Sequence, residues 1–66
     1  MTLKWTDTFE IAIALEEKFP EVDNLNLRFT DLHKWVLDLD GFQDDANKSN
    51  EKILESIQMA WVDERD

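Results

Sequence analysis

Apolar positions recur at helical spacing in three stretches of the chain. In the first, Ile11, Ala14, Leu15, Lys18 and Phe19 share a face, with the Lys18 stem lying along the edge of the stripe. Thr6 or Asp7 can cap its free N–H groups, Asp7-x-x-Glu10 has the form of a capping box, and Pro20 ends it. Leu25, Leu27 and Phe29 then alternate with Asn24, Asn26 and Arg28, a period-two run too short to make a sheet alone. It reads as an extended connector. Thr30-Asp31 repeats the Thr6-Asp7 arrangement, each pair following an aromatic residue, and predicts a second helix start.

Leu32, Trp35, Val36 and Leu39 at i, i+3, i+4 and i+7 predict that second helix and its buried face, with Gly41 as the C-terminal stop. Residues 42–48 form a loop whose one apolar anchor is Phe42. Ser49 is placed to cap a third helix with Glu51 in its first turn. Ile53, Leu54, Ile57, Ala60 and Trp61 supply its buried stripe before the chain leaves as Asp63-Glu64-Arg65-Asp66. One Gly and one Pro in 66 residues argue against a turn-rich β-sandwich. The expected fold is all-α, a compact three-helix bundle forming one domain over residues 1–66, in which the second and third helices could form a helix-turn-helix.

Composition narrows what such a bundle can do. A chain of 66 residues without cysteine has one small core and no disulfide, so packing must hold it, and three Trp with four Phe supply the apolar surface. The lack of thiols removes thiolate catalysis, Cys-based zinc sites and internally ligated iron-sulfur clusters. Sixteen acids against seven Lys and Arg give a net charge of −9, which repels phosphate backbones and anionic lipid headgroups. No window is long and apolar enough for a membrane span and Met1 to Trp5 has no signal-like apolar run, so neither nucleic acid nor membrane is an expected partner and the cytoplasm is the expected location.

The densest acidic stretch is Asp38, Asp40, Asp44 and Asp45. Two carboxylates held ~5 Å apart repel by ~1 kcal/mol in water and ~3 kcal/mol at an effective dielectric of 20, so a hard cation between them would relieve a real cost. A solvated acidic loop with splayed side chains is the alternative. An EF-hand is excluded: Gly41 at the sixth loop position would put Val36 at the first and Asn47 at the twelfth. His33, the one imidazole, is either a ligand or polar surface. Neither Ser49 nor Ser56 has a histidine beside it, and the chain is too short to build a cleft around paired carboxylates, so no enzyme activity is expected. Trp35 and Trp61 fall in phase with the core; Trp5 is either a lid on the bundle or an interface anchor. A helix-turn-helix reader of DNA is electrostatically disfavoured, since the candidate recognition helix from Ser49 to Trp61 has Lys52 as its one basic residue against Glu51 and Glu55.

Taken together, Lys4-Trp5-Thr6-Asp7, Arg28-Phe29-Thr30-Asp31-x-His33-x-Trp35, Asp44-Asp45, Ser49-Asn50-Glu51-Lys52-Ile53-Leu54-Glu55 and Trp61-x-Asp63-Glu64 resemble the IscX family over essentially the whole chain. Members are small acidic proteins of bacterial iron-sulfur cluster assembly, with a three-helix fold similar to a winged helix or helix-turn-helix but without DNA binding. The resemblance implies an adaptor that binds a cysteine desulfurase through an acidic surface, binds iron weakly, and acts beside frataxin and ferredoxin as iron donor or regulator. Carried over to this chain, His33, Asp38, Asp44 and Asp45 are the metal candidates. Asp31, Asp38, Asp44, Asp45, Glu51, Glu55, Asp63 and Glu64 are the partner-binding candidates, with Asp31, His33 and Asp38 taken as one side of the second helix. Gly41 and Gln43 stand where an acid is common in that family, which favours docking through distributed charge over a loop-centred iron site. Charge reversal at Asp44 and Asp45, or at Glu51 and Glu55, is expected to weaken docking without unfolding the domain. An acidic DNA mimic or a non-catalytic regulator of another basic partner is the alternative.

Overall fold

The computed structural model describes residues 2–65. Helix α1 spans Thr8–Lys18, α2 spans Phe29–Leu37 and α3 spans Glu51–Arg65, with a short 3-10 turn at Ala46–Lys48 before α3. Helices α1 and α3 form the main packing pair and α2 closes one side. Ile11, Ala12 and Leu15 of α1 meet Leu32 and Val36 of α2 and Leu54, Ile57, Ala60 and Trp61 of α3 in one core that also takes in Leu3, Trp5 and Leu39. The all-α three-helix arrangement expected from the periodicity is the one observed. The body measures 28 × 24 × 16 Å, so its thin dimension holds little more than one layer of helix on another.

The helix starts differ from expectation. Asp7 precedes α1 but caps nothing with its side chain. It clasps Lys4 instead: the Asp7 N–H donates to the Lys4 carbonyl at 2.8 Å and the Lys4 N–H donates to Asp7 Oδ2 at 3.0 Å. The Asp7/Glu10 capping box is therefore not made. Helix α2 begins at Phe29, with Arg28 before it and no side-chain cap, so Thr30-Asp31 lies inside its first turn and does not repeat Thr6-Asp7. At α3 the cap is Asn50, not Ser49: Asn50 Oδ1 accepts from the Ile53 N–H at 2.9 Å, while the Ser49 hydroxyl donates to the Ala46 carbonyl at 3.4 Å.

Helix α2 stops at Leu37, short of Leu39. The Phe42 N–H reaches back to the Leu39 carbonyl at 3.2 Å, closing a turn centred on Asp40-Gly41. Gly41 has φ 84° and no other residue described has positive φ, which makes this a type II turn that favours glycine at its third position. Gly41 is thus a turn residue and not a helix cap. Beyond it the N-terminal strap joins the loop: the Leu3 N–H donates to the Gly41 carbonyl at 2.8 Å and the Gln43 N–H to the Leu3 carbonyl at 2.9 Å, a parallel bridge that is the one β-type pairing among the described residues.

The connector from α1 to α2 is a run of turns at residues 20–26, and its alternation holds from Asn26 to Phe29, where Leu27 and Phe29 pack on the core, but fails at Asn24 and Leu25. Leu25 is 67% exposed, whereas Asn24 is 4% exposed. Asn24 Nδ2 donates to the Trp61 carbonyl at 3.3 Å, and the Gln58 amide donates to the Asn24 carbonyl at 3.0 Å. Asp23 holds the turn by accepting from the Leu25 N–H at 3.2 Å and the Asn26 amide at 3.0 Å. Side-chain to backbone bonding of this kind at Asp23 and Asn24 overrides the apolar alternation at Leu25.

Candidate docking surface

Along α3, Glu51, Glu55, Met59 and Asp63 succeed one another every four residues, and each is exposed. Four-residue steps turn about 40° on an α-helix, so these side chains wind slowly along one side as a ridge of acids interrupted by a methionine. Across from it, Phe9 of α1 stands 74% exposed and Met59 59% exposed. The two share an open groove of ≈ 420 Å³, floored by Ala60 and rimmed by Glu55 and Asp63. Glu64 is exposed one position further on.

The loop acids have a different setting. Asp44 Oδ2 accepts from the Trp5 backbone N–H at 3.1 Å and Asp44 Oδ1 from the Asp45 N–H at 2.8 Å, with Lys48 Nζ 3.9 Å away. Those bonds, the Trp5 N–H foremost, hold the Asp44 carboxyl below its ordinary pKa. Asp45 Oδ1 accepts from the Asn47 N–H at 2.9 Å and caps the 3-10 turn, while its carbonyl accepts from the Trp5 indole N–H at 2.7 Å. Trp5 itself is buried, its ring stacked on His33 at 5.4 Å and edge-on to Phe42 at 4.8 Å. Of the two roles open to Trp5, the structure gives it the lid.

His33 Nε2 lies 2.8 Å from the Ala46 carbonyl. A carbonyl only accepts, so Nε2 carries a proton and is closed to a metal. His33 also stands about 200° around α2 from Asp31, which removes the side that these two and Asp38 were expected to share. Asp38 is exposed at the far end of α2, where its carbonyl accepts from Lys18 Nζ at 2.7 Å, a cation well placed at a helix C-terminus. The structure does not bring His33, Asp38, Asp44 and Asp45 into one ligand set. Among the described residues, no three His, Asp or Glu side chains gather to hold one ion.

Sequence reasoning missed a further network. Helix α3 runs on to Arg65, and the Arg65 guanidinium turns back to pair with Glu16 Oε1 at 2.7 Å, to donate to the Phe19 and Val22 carbonyls beyond the end of α1, and to lie over the Trp61 ring at 5.6 Å. Glu16 Oε1 accepts from the Trp61 indole N–H at 2.9 Å as well. Arg65 first, and Trp61 after it, hold the Glu16 carboxyl below the usual glutamate pKa. The sequence carried no sign of this, since the partners lie more than forty residues apart. Phe9 and Met59, by contrast, were detectable: each stands about 200° from a core residue of its own helix, Ile11 and Ile57.

Comparison with known proteins sets this surface in context. The family model described as iron-sulphur cluster assembly, which is the IscX family, matches residues 3–66. The chain belongs to this family. An uncharacterized protein of Pseudomonas aeruginosa is 56% identical to it over 66 residues, covering the whole of both chains. The residues do not form a preorganised iron centre, because among the described residues no three His, Asp or Glu side chains converge on one point. Among the described residues no helix is long and apolar enough to cross a membrane.

Proposed function

We propose that this IscX-family protein is a cytoplasmic, non-catalytic adaptor that docks on a basic patch of a cysteine desulfurase and so tunes the supply of sulfur to cluster assembly, in competition with frataxin and ferredoxin for that patch. The observation that supports the reading is the lack of internal compensation for its charge. Against a net charge of −9, two ion pairs form among the described residues, Arg65 with Glu16 and Lys48 with Asp44. Glu51, Glu55, Asp63 and Glu64 face water. Such a surface speeds encounter with a positive patch and makes association salt-sensitive. Iron enters the reading as a substrate of the pathway, drawn weakly by dispersed exposed carboxylates; no ligand set is assigned to it.

Calorimetric titration into the cysteine desulfurase of the same organism, at low and high salt, tests the proposal. Saturable binding that weakens as salt rises is the expected result. Absence of binding at both salt concentrations with a folded sample would overturn it and direct attention to another basic partner.

A further inference from the structure

The acidic ridge is not purely electrostatic, and its interruption is informative. Met59 stands among Glu51, Glu55 and Asp63, and with Phe9 it makes an apolar strip bordered by carboxylates. No Lys or Arg lines that groove. An exposed aromatic beside an exposed methionine is an adaptable hydrophobic anchor point, since the unbranched thioether repacks around varied side chains. An acidic border selects against acidic segments and draws in basic ones.

We propose that the groove between α1 and α3 receives a partner segment in which one apolar side chain is flanked by Lys or Arg, the apolar group seating on Phe9 and Met59 and the cations meeting Glu55 and Asp63. The proposal rests on the adaptor reading for which protein carries the segment, but not for the segment's chemistry. It divides the work of binding: the acids set encounter rate and salt dependence, and the apolar pair sets residence time.

Two probes separate the groove from the identity of the partner. In the first, the Met59 methyl and Phe9 ring NMR signals are followed while a synthetic Lys-Lys-Leu-Lys-Lys peptide is added, with Lys-Lys-Ser-Lys-Lys as control. The leucine peptide should shift both signals saturably and bind several-fold more tightly than the serine peptide, and Glu55→Lys with Asp63→Lys should abolish the response. Equal affinity for the two peptides, or shifts confined to other acids, would overturn the proposal. In the second, Phe9→Ser with Met59→Ser is titrated against the desulfurase, with Glu17→Lys and Asp40→Lys as charge controls in a different groove. A rise in Kd of roughly tenfold, with unchanged salt dependence, is expected for the apolar pair. Wild-type affinity in that variant would refute the groove and leave the adaptor reading standing. Failure of the wild-type protein to bind the desulfurase would end the adaptor reading, and the peptide result would then decide the groove alone. Both substituted apolar residues are exposed, so an unchanged thermal midpoint serves as the folding control.

Discussion

Trp5 offers the sharpest test of how this fold is held. It precedes α1 by three residues, yet it sits in the core at 2% exposure. Its indole N–H is bonded to the Asp45 carbonyl and its ring lies against His33 and Phe42. Replacing a buried Trp by Ala costs about 3–5 kcal/mol through lost transfer energy and the cavity left behind. A chain of 66 residues at about 0.05–0.15 kcal/mol per residue is stable by roughly 3–10 kcal/mol in all. Trp5→Ala should therefore remove between a third and the whole of the stability. Trp5→Phe keeps much of the ring and deletes the indole donor; the Asp45 carbonyl it frees belongs to an exposed residue that water can reach, so about 1 kcal/mol is expected for the lost bond. Urea denaturation followed by circular dichroism measures both, free of the change in tryptophan fluorescence that the substitutions themselves cause. A loss below about 1 kcal/mol for Trp5→Ala would refute the reasoning, because the strap would then be a detachable segment and Trp5 a surface anchor.

Three further outcomes follow from named contacts. Asp44 has a depressed pKa in the folded state, so its stabilising contribution is complete above the unfolded carboxylate range near about 4 and is lost as pH falls through the folded value. Acid denaturation profiles should flatten in Asp44→Asn relative to wild type, and identical profiles would contradict the role of the Trp5 and Asp45 N–H groups. Arg65→Met should lower the thermal midpoint by several degrees and return the Glu16 carboxyl toward its ordinary pKa, read by carboxyl-carbon NMR; an unmoved Glu16 would show that the Arg65 contact is not kept in solution. Asn50→Ala should cost about 1 kcal/mol, and Ser49→Ala markedly less, in urea denaturation; equal losses would remove the distinction between cap and neighbour.

What the sequence made legible was what repeats at 3.6 residues. Ile11 and Leu15, Leu32 and Val36, and Ile57, Ala60 and Trp61 were readable as core because each set recurs on one side of its own helix, and all are buried. Termini were harder to place. Ser49 and Asn50 are near-equal as caps, and the choice between them depends on the 3-10 turn that ties the Ser49 hydroxyl to Ala46. The buried Asn24 and the inward-folded Arg65 were invisible for a related reason: each is satisfied by carbonyls distant in sequence, which no local pattern announces. At the candidate surface, the count of acids was legible but not their allocation, because a carboxylate bonded to a backbone N–H looks the same in sequence as one facing water.

That allocation changes which charge reversals are informative. Asp44, Asp45 and Glu16 accept hydrogen bonds that shape the loop and join α1 to α3, whereas Glu51 and Glu55 are exposed and have no ion-pair partner among the described residues. Glu51→Lys with Glu55→Lys and Asp44→Lys with Asp45→Lys each change the net charge from −9 by four units to −5, so charge alone cannot distinguish the two variants. Position can. At Glu51 and Glu55 the swap exchanges one like-charged i,i+4 pair for another, so its cost is confined to the cation placed in the first turn of α3, about 0.3–1 kcal/mol. At Asp44 and Asp45 it removes the acceptors of the Trp5, Asp45 and Asn47 N–H groups and puts cations in their place. The α3 variant should keep its thermal midpoint within a few degrees and lose affinity for the desulfurase, while the loop variant should lose midpoint first, so that any loss of binding follows loss of fold. A loop variant as stable as wild type, paired with an α3 variant of undiminished affinity, would reverse the assignment and return the docking surface to the loop.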